Sequence, residues 1–378
     1  MLDTMGFIIP ISREAYHFLV SKSLMTQRVD CVDGSVEFEY YNFELSHSWN
    51  YRVRWKLDDK RFIHDPGINR TVVASGYPHL KIEFSAPKIM LGNNIRTIDE
   101  NMADVVVHTV KIKFEKTFQI KLPRVSDWFL NRLDVCSNYE LSNADMVKDI
   151  INYLQRLDYP RKKKEFYENE SIYCPSRHAT LKVYAKGPEF KKHDMKRFKN
   201  EVESRNLFND ANRIIRAEAE LKTRLRYVAA EYLNLLGMKS KLKIRTWNGY
   251  LKYYKMIGLI DCRGELERMI ANLMICKETK SMKANDVHDK LRKNFSDEQA
   301  DVFMGMYTII LTRGIKASRK KFSKEKMKRA LRAYRSLKIS FINSDVSVID
   351  SGINIPHDFT FKMDDSNPYY QIPLREAA

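Results

Sequence analysis

Tyr184 and Lys186 lie two residues apart in a run whose side chains alternate in character. Ala179, Leu181, Val183 and Ala185 fall on one face of a strand, and Thr180, Lys182, Tyr184 and Lys186 on the other. A tyrosine hydroxyl can attack a phosphodiester and hold its energy as a phosphotyrosine. Its ordinary pKa, about 10, means that a metal or a cation must help it to become nucleophilic. Lys186 could stabilise the charge of the phosphorane. Asp134, Glu83 and Glu218 are hard oxygen donors suited to Mg²⁺ or Mn²⁺. His178, at the start of the Tyr184 strand, is either a further ligand or a strand-end residue.

Those acids recur on strands of the same build. In 213–222, Arg216, Glu218, Glu220 and Lys222 oppose Ile215, Ala217, Ala219 and Leu221. In 80–85, Lys81, Glu83 and Ser85 oppose Leu80, Ile82 and Phe84, and in 130–136 Arg132 shares a face with Asp134. Every such sheet would have a core side and an ionisable side. A half-exposed sheet that does nothing shows the same alternation, so the pattern alone does not make a site. There is no HxH metal pair, HExxH, Walker A or GxSxG. His79 and His108 stand alone and read as structural, and Gly92-Asn93-Asn94 reads as a turn.

Composition points to the substrate. The 378 residues carry 66 Lys+Arg against 48 Asp+Glu, a formal charge of +18. Segment 313–338 holds twelve Lys/Arg and one acid, Glu325, and a second basic run spans Arg161 to Lys164. Such blocks repel themselves unless a polyanion neutralises them, and a phosphate backbone is the simplest one. Candidate DNA contacts are Arg319, Lys320, Lys321, Lys324 and Lys328 in that segment, with Arg177, Lys182, Arg216 and Lys222 near the strands. The five cysteines have no CxxC spacing, which excludes a disulfide scaffold and a cysteine-built zinc module. No stretch approaches the roughly 20 apolar residues of a membrane span, and no signal-peptide leader is visible. We therefore expect a soluble protein of a reducing cytoplasm, with no membrane partner.

Residues 1–240 read mostly as strands, including those of Val36, Phe38, Tyr40 and of Tyr51, Val53, Trp55. Val105 to Phe114 reads as a β segment, with a helix from Asp99 as the alternative. Ser142-Asn143 starts a helix, 188–207 is helical, 213–224 is a long strand and 225–236 a helix. Beyond 245 the period becomes helical. Ser296 caps a helix ending near Gly314, and Phe322 to Leu337 forms a basic helix after it, the outline of a helix-turn-helix. The tail after 340 reads as extended.

Six pieces in order resemble the filamentous-phage gene II family of replication initiators, also found in plasmids and prophages. They are MLDTMGFIIPI at the start, EFSAPKIMLGNNI (83–95), RLD (132–134), SRHATLKVYAK (176–186), RAEAELKTR (216–224), and the basic C-terminal helix followed by DDSNPYY (364–370). The resemblance implies a rolling-circle initiator. Such a protein nicks one strand of supercoiled double-stranded DNA at an origin and holds the 5′ end on a tyrosine. The 3′-OH primes synthesis, and the displaced single strand is later cut and rejoined. It places the nucleophile at Tyr184, its lysine at Lys186, and acids at Glu218 and Asp134. Glu83 and His178 match less closely as metal ligands, and the His-hydrophobe-His motif of the wider nickase fold is missing, His79-Leu80-Lys81 being at best a remnant.

The expected fold is α+β: an antiparallel-sheet catalytic domain resembling rolling-circle nickases (1–240), a helical DNA-binding domain (245–340) and an extended tail (341–378). The expected cofactor is Mg²⁺, with Mn²⁺ as substitute. The expected partners are the supercoiled double-stranded origin, single-stranded DNA, and the host replication helicase and polymerase in the bacterial host cytoplasm. The rival expectation is a non-catalytic DNA-binding repressor or packaging protein on a degenerate nickase fold.

Overall fold

The computed structural model describes residues 2–29, 36–43, 53–65, 70–157, 164–167, 170–237, 250–273 and 280–342. The chain is α+β and falls into two compact units, Met1–Val135 with Leu221–Asp261 and Cys136–Glu220 with Cys262–Ala378. The chain passes from the first unit to the second inside one strand, Phe129–Glu140, and returns at Leu221. Tyr51, most of the Arg161–Lys164 run and the tail from 343 onward lie outside the described residues.

The first unit is built on six strands, β1 (Leu2–Pro10), β2 (Leu24–Val29), β3 (Val36–Phe43), β4 (Arg54–Asp65), β5 (Arg70–Ser85) and the first half of β6 (Phe129–Glu140). Their order is β2-β3-β4-β5-β1-β6, and the pairings are antiparallel. Helices α1 (Arg13–Ser21), α2 (Ala86–Leu91) and α3 (Ala103–Phe118) belong to this unit. Leu80, Ile82 and Phe84 are buried, as their alternation predicts. Phe7 packs against Phe84, Trp128 and Tyr253, and Trp55 against Phe114, the aromatic centre of this core.

The expected β segment from Val105 is instead α3. Asp99 caps the turn ahead of it by accepting from Asn101 N–H (2.8 Å). Ala103, Val106, Val107, Val110 and Phe114 are its buried face, at spacings of three and four. Burying that face outweighs the few tenths of a kcal/mol by which valine disfavours helix. Gly92 ends α2 in the left-handed region, φ 77°, which confirms the turn read at 92–94.

The second unit holds the rest of β6, then α4 (Ala144–Arg156), β7 (Glu165–Tyr167), β8 (Ser171–Cys174), β9 (Thr180–Ala185), α5 (Lys186–His193), α6 (Glu201–Asn212) and β10 (Ile214–Leu221). Its strand order is β6-β10-β9-β8-β7, and β10-β9, β9-β8 and β8-β7 pair antiparallel. The Asn143 side chain accepts from Met146 N–H (2.9 Å) and starts α4 where expected. The helical segment expected over 188–207 is present as two helices, α5 and α6, with the Asn200 side chain capping the second. The strand expected to reach 224 stops at Leu221, and α7 (Thr223–Leu235) follows in the first unit, where α8 (Tyr253–Ile257) also lies.

The later helices of the second unit are α9 (Cys262–Leu273), α10 (Ala284–Arg292), α11 (Asp297–Lys321) and α12 (Lys324–Ser336). Gly314 interrupts α11 with φ 79° and ψ 164°, but helix resumes to Lys321. The first helix thus ends at Gly314, as expected, but a further turn at Phe322-Ser323 separates the short helix after Gly314 from the basic helix α12. The Gly314 conformation is essentially closed to other residues. Gly314→Ala is expected to cost about 1–3 kcal/mol of unfolding free energy, read by denaturant titration.

Candidate active site

Tyr184 stands on β9 between two partners. Its register neighbours are Arg216 on β10 and Ser171 on β8. Leu181, Val183 and Ala185 are buried, while Lys182 and Tyr184 on the alternate face are half-buried. Antiparallel pairing puts Glu218 opposite Lys182 and therefore diagonal to Tyr184. The Tyr184 hydroxyl donates to Glu218 Oε2 (3.2 Å), and Lys182 Nζ donates to Glu218 Oε1 (2.7 Å). Lys182 also pairs with Glu220 (2.9 Å). Glu218 is buried, so these charge-assisted bonds fix the carboxylate and, through it, the phenol. Tyr173, on β8, faces Lys182 from the other side.

Lys186 does not continue the strand face. β9 ends at Ala185, and Lys186 is the first residue of α5, with Pro188 in the first turn where its missing N–H costs no bond. Its ammonium is fully buried, pairs with Glu189, and lies 6.0 Å from the centroid of the Tyr184 ring. The expected closeness to Tyr184 is thus met by a cation against the ring, not by two side chains projecting together. Gly187 permits it: a Cβ there would fall 2.0 Å from Asn212 Oδ1 at the end of α6.

Arg216 corrects the reading of the 213–222 strand. It is fully buried and its Nε donates to Asn138 Oδ1 (2.8 Å) on β6, so it ties strands together and is not a surface contact for DNA. Arg177 and His178 are exposed in the turn before β9, and Lys222 is exposed just after β10. Arg319, Lys320, Lys321, Lys324 and Lys328 are exposed on α11 and α12.

The other acids form a cluster in the first unit. Glu83 on β5, Gly6 on β1 and Arg132 on β6 lie in one cross-strand row. Arg132 grips Asp134 with Nε (3.0 Å) and Nη2 (2.6 Å) and reaches Glu83 with Nη1 (2.9 Å). Asp134 is fully buried. The missing side chain of Gly6 makes the row possible, since a Cβ there would sit 2.8 Å from Arg132 Cβ and 3.3 Å from Glu83 Cγ.

In the first unit Glu83 and Asp134 lie around Arg132; in the second Glu218 lies with Lys182 and Tyr184, and His178 sits in its turn. Among the described residues no three His, Cys, Asp or Glu side chains gather to hold a metal. Within each unit the carboxylates are paired with cations, Glu83 and Asp134 with Arg132 and Glu218 with Lys182. His79 is buried, its Nδ1–H donates to the Tyr77 carbonyl (3.0 Å), and burial holds its pKa below the ordinary value. It is structural, as expected. Gly6, Asn138 and Glu189 were not marked by sequence. A glycine inside an apolar strand was the available signal for Gly6, whereas the other two depend on long-range pairing or on where a strand ends.

Compared with known families, residues 1–235 match the family of the N-terminal region of the gene II-type replication-associated protein. The chain belongs to that family. No curated protein and no solved structure matches it. The matched span runs from β1 to the end of α7 and contains Tyr184, Lys186, Glu218 and the Arg132 cluster. This gene II-type protein is a phage replication initiator, and as such it binds DNA. No described helix is long and apolar enough to cross a membrane.

Proposed function

We propose that this initiator nicks one strand of a supercoiled double-stranded origin through Tyr184 and later rejoins the displaced single strand. The observation that carries the reading is the half-buried Tyr184 phenol, held by Glu218 on the next strand with the buried Lys186 ammonium against its ring. At neutral pH an ordinary tyrosine is phenolate on the order of one part in a thousand. The phenolate oxygen attacks the phosphorus, the bond from phosphorus to the 3′ oxygen breaks, and that oxygen takes a proton from solvent. The products are a 5′-phosphotyrosine and a free 3′-OH, the group that a host polymerase extends while a host helicase opens the duplex in the bacterial cytoplasm. Attack by a new 3′-OH on the phosphotyrosine reverses the step and closes a circle.

The Mg²⁺ requirement, with Mn²⁺ as substitute, belongs to the same proposal. No step above passes through a metal. The test is incubation of the protein with supercoiled parental replicative-form DNA, with Mg²⁺ or with EDTA, followed by agarose electrophoresis. Open circles in the Mg²⁺ lane alone are expected. Supercoils left intact but retarded would favour the non-catalytic DNA-binding reading, and open circles in EDTA would remove the metal.

A further inference from the structure

The twelve cations of segment 313–338 lie outside the matched family span, and the structure gives them a common character. Arg313, Lys316, Arg319, Lys320, Lys321, Lys324, Lys326, Lys328, Arg329, Arg332, Arg335 and Lys338 are all exposed. None is paired with an acid among the described residues. Elsewhere in the same unit exposed cations do find acids, as in Arg205–Glu201, Arg263–Glu267 and Arg292–Asp301.

The pattern on α12 is directional. Met327, Ala330, Ala333 and Tyr334 are buried, and the Tyr334 hydroxyl donates to the Phe303 carbonyl of α11 (2.6 Å). The helix is therefore seated by one face. On the exposed side, Lys324, Lys328, Arg332 and Arg335 follow at spacings of four, four and three, which stacks them in a single stripe. At 1.5 Å per residue the stripe is about 16 Å long. Like charges at i,i+4 repel in the free protein, so this row lowers the stability of its own helix. It is suited to a surface carrying regularly spaced anions.

We propose that this stripe holds the phosphate backbone of duplex DNA without reading its sequence. The segment has no Asn or Gln to grip an adenine edge, which leaves guanine contacts from its Arg and Lys as the base reading that the origin-free duplex below must exclude. Of its two aromatics, Tyr334 is buried and the half-buried Phe322 precedes α12, so the exposed stripe itself offers no aromatic platform on which single-stranded bases would stack. Phosphate contacts of this type position a protein on DNA and leave the choice of origin to other residues. The proposal goes beyond the nicking reading and does not depend on it.

The test uses full-length protein in EDTA with two linear duplexes, one carrying the origin and one lacking it. Lys324→Gln, Lys328→Gln, Arg332→Gln and Arg335→Gln are combined in one variant. The slope of log affinity against log salt should become shallower by about 3.6 for both duplexes, at roughly 0.9 per phosphate contact. Both affinities should fall by the same factor. Circular dichroism should show a fold no less heat-stable than the wild type, since the i,i+4 repulsions are gone. On the wild-type protein, bound origin-free duplex should protect Lys324 and Lys328 from acetylation. An unchanged slope in a folded variant, or full acetylation in the complex, would overturn the proposal. A loss confined to the origin duplex would also overturn it, by showing that the helix reads bases. Failure to nick would leave all of these readings intact, so the two proposals fall separately.

Discussion

Tyr184→Phe is expected to abolish the covalent protein–DNA adduct while leaving origin binding within about twofold of wild type. The substitution removes one oxygen atom, and that oxygen is the proposed nucleophile. The phenyl ring keeps its place on β9 and its contact with the Lys186 ammonium. The substitution loses the hydrogen bond from the Tyr184 hydroxyl to Glu218 Oε2. Its net contribution to stability is about 0.5–1.5 kcal/mol. Glu218 keeps the Lys182 ion pair, so no buried carboxylate is stranded.

The readout is a labelled origin oligonucleotide carried with the protein through denaturing electrophoresis, measured beside equilibrium binding of the same DNA. Tyr173→Phe is the matched control, because Tyr173 lies on the adjacent strand opposite Lys182. It should form the adduct normally. An adduct that persists in Tyr184→Phe and disappears in Tyr173→Phe would transfer the nucleophile to β8. Loss in neither variant would remove both tyrosines from the chemistry. A Tyr184→Phe protein that no longer binds DNA would point to a damaged fold, which the retained Glu218–Lys182 pair argues against.

The parts of this site that were legible from sequence are those governed by short periods. Leu181, Val183 and Ala185 alternate with Lys182 and Tyr184 because a strand has a period of two, and no distant residue can change that. The basic segment was legible because its charge is local. Lys186 was assigned to the strand face because alternation does not mark where a strand ends. Pro188, poorly suited to strand and well suited to a first helical turn, was the signal that it stops. Arg216 was read as surface because a charge at an alternating position usually faces water. Its partner Asn138 lies 78 residues away, and only the pairing of β10 with β6 brings them together. The run of valines at 105–107 suggested strand by composition, yet the spacing of Ala103, Val106, Val107, Val110 and Phe114 already favoured a helix. Glu83 and Asp134 were grouped as metal ligands by chemical type. Type alone does not reveal that Arg132 reaches over Gly6 to hold both.

That arginine carries the largest expected effect on stability. Arg132→Met should lower the unfolding free energy by about 3–5 kcal/mol, the cost of removing one partner of a buried ion pair. Asp134 is fully buried, and both of its oxygens accept from Arg132. Methionine fills a similar volume but leaves the carboxylate without this counter-charge. Glu83 keeps 30% of its side chain exposed and can turn to water, so the cost falls on Asp134. Replacing both partners, Arg132→Met with Asp134→Leu, should recover most of the loss, since a well-packed apolar pair is often as stable as the ions it replaces. A denaturant-unfolding double-mutant cycle measures the coupling directly. Near-additive costs would show that the pair is not the stabilising unit. The same double variant also tests the chemistry. If it refolds to wild-type stability and nicks supercoiled DNA, Asp134 serves the fold and not a metal. If it is stable and inactive, the carboxylate that Arg132 holds is needed for the reaction, and the ion pair keeps that group charged and in place beneath the surface.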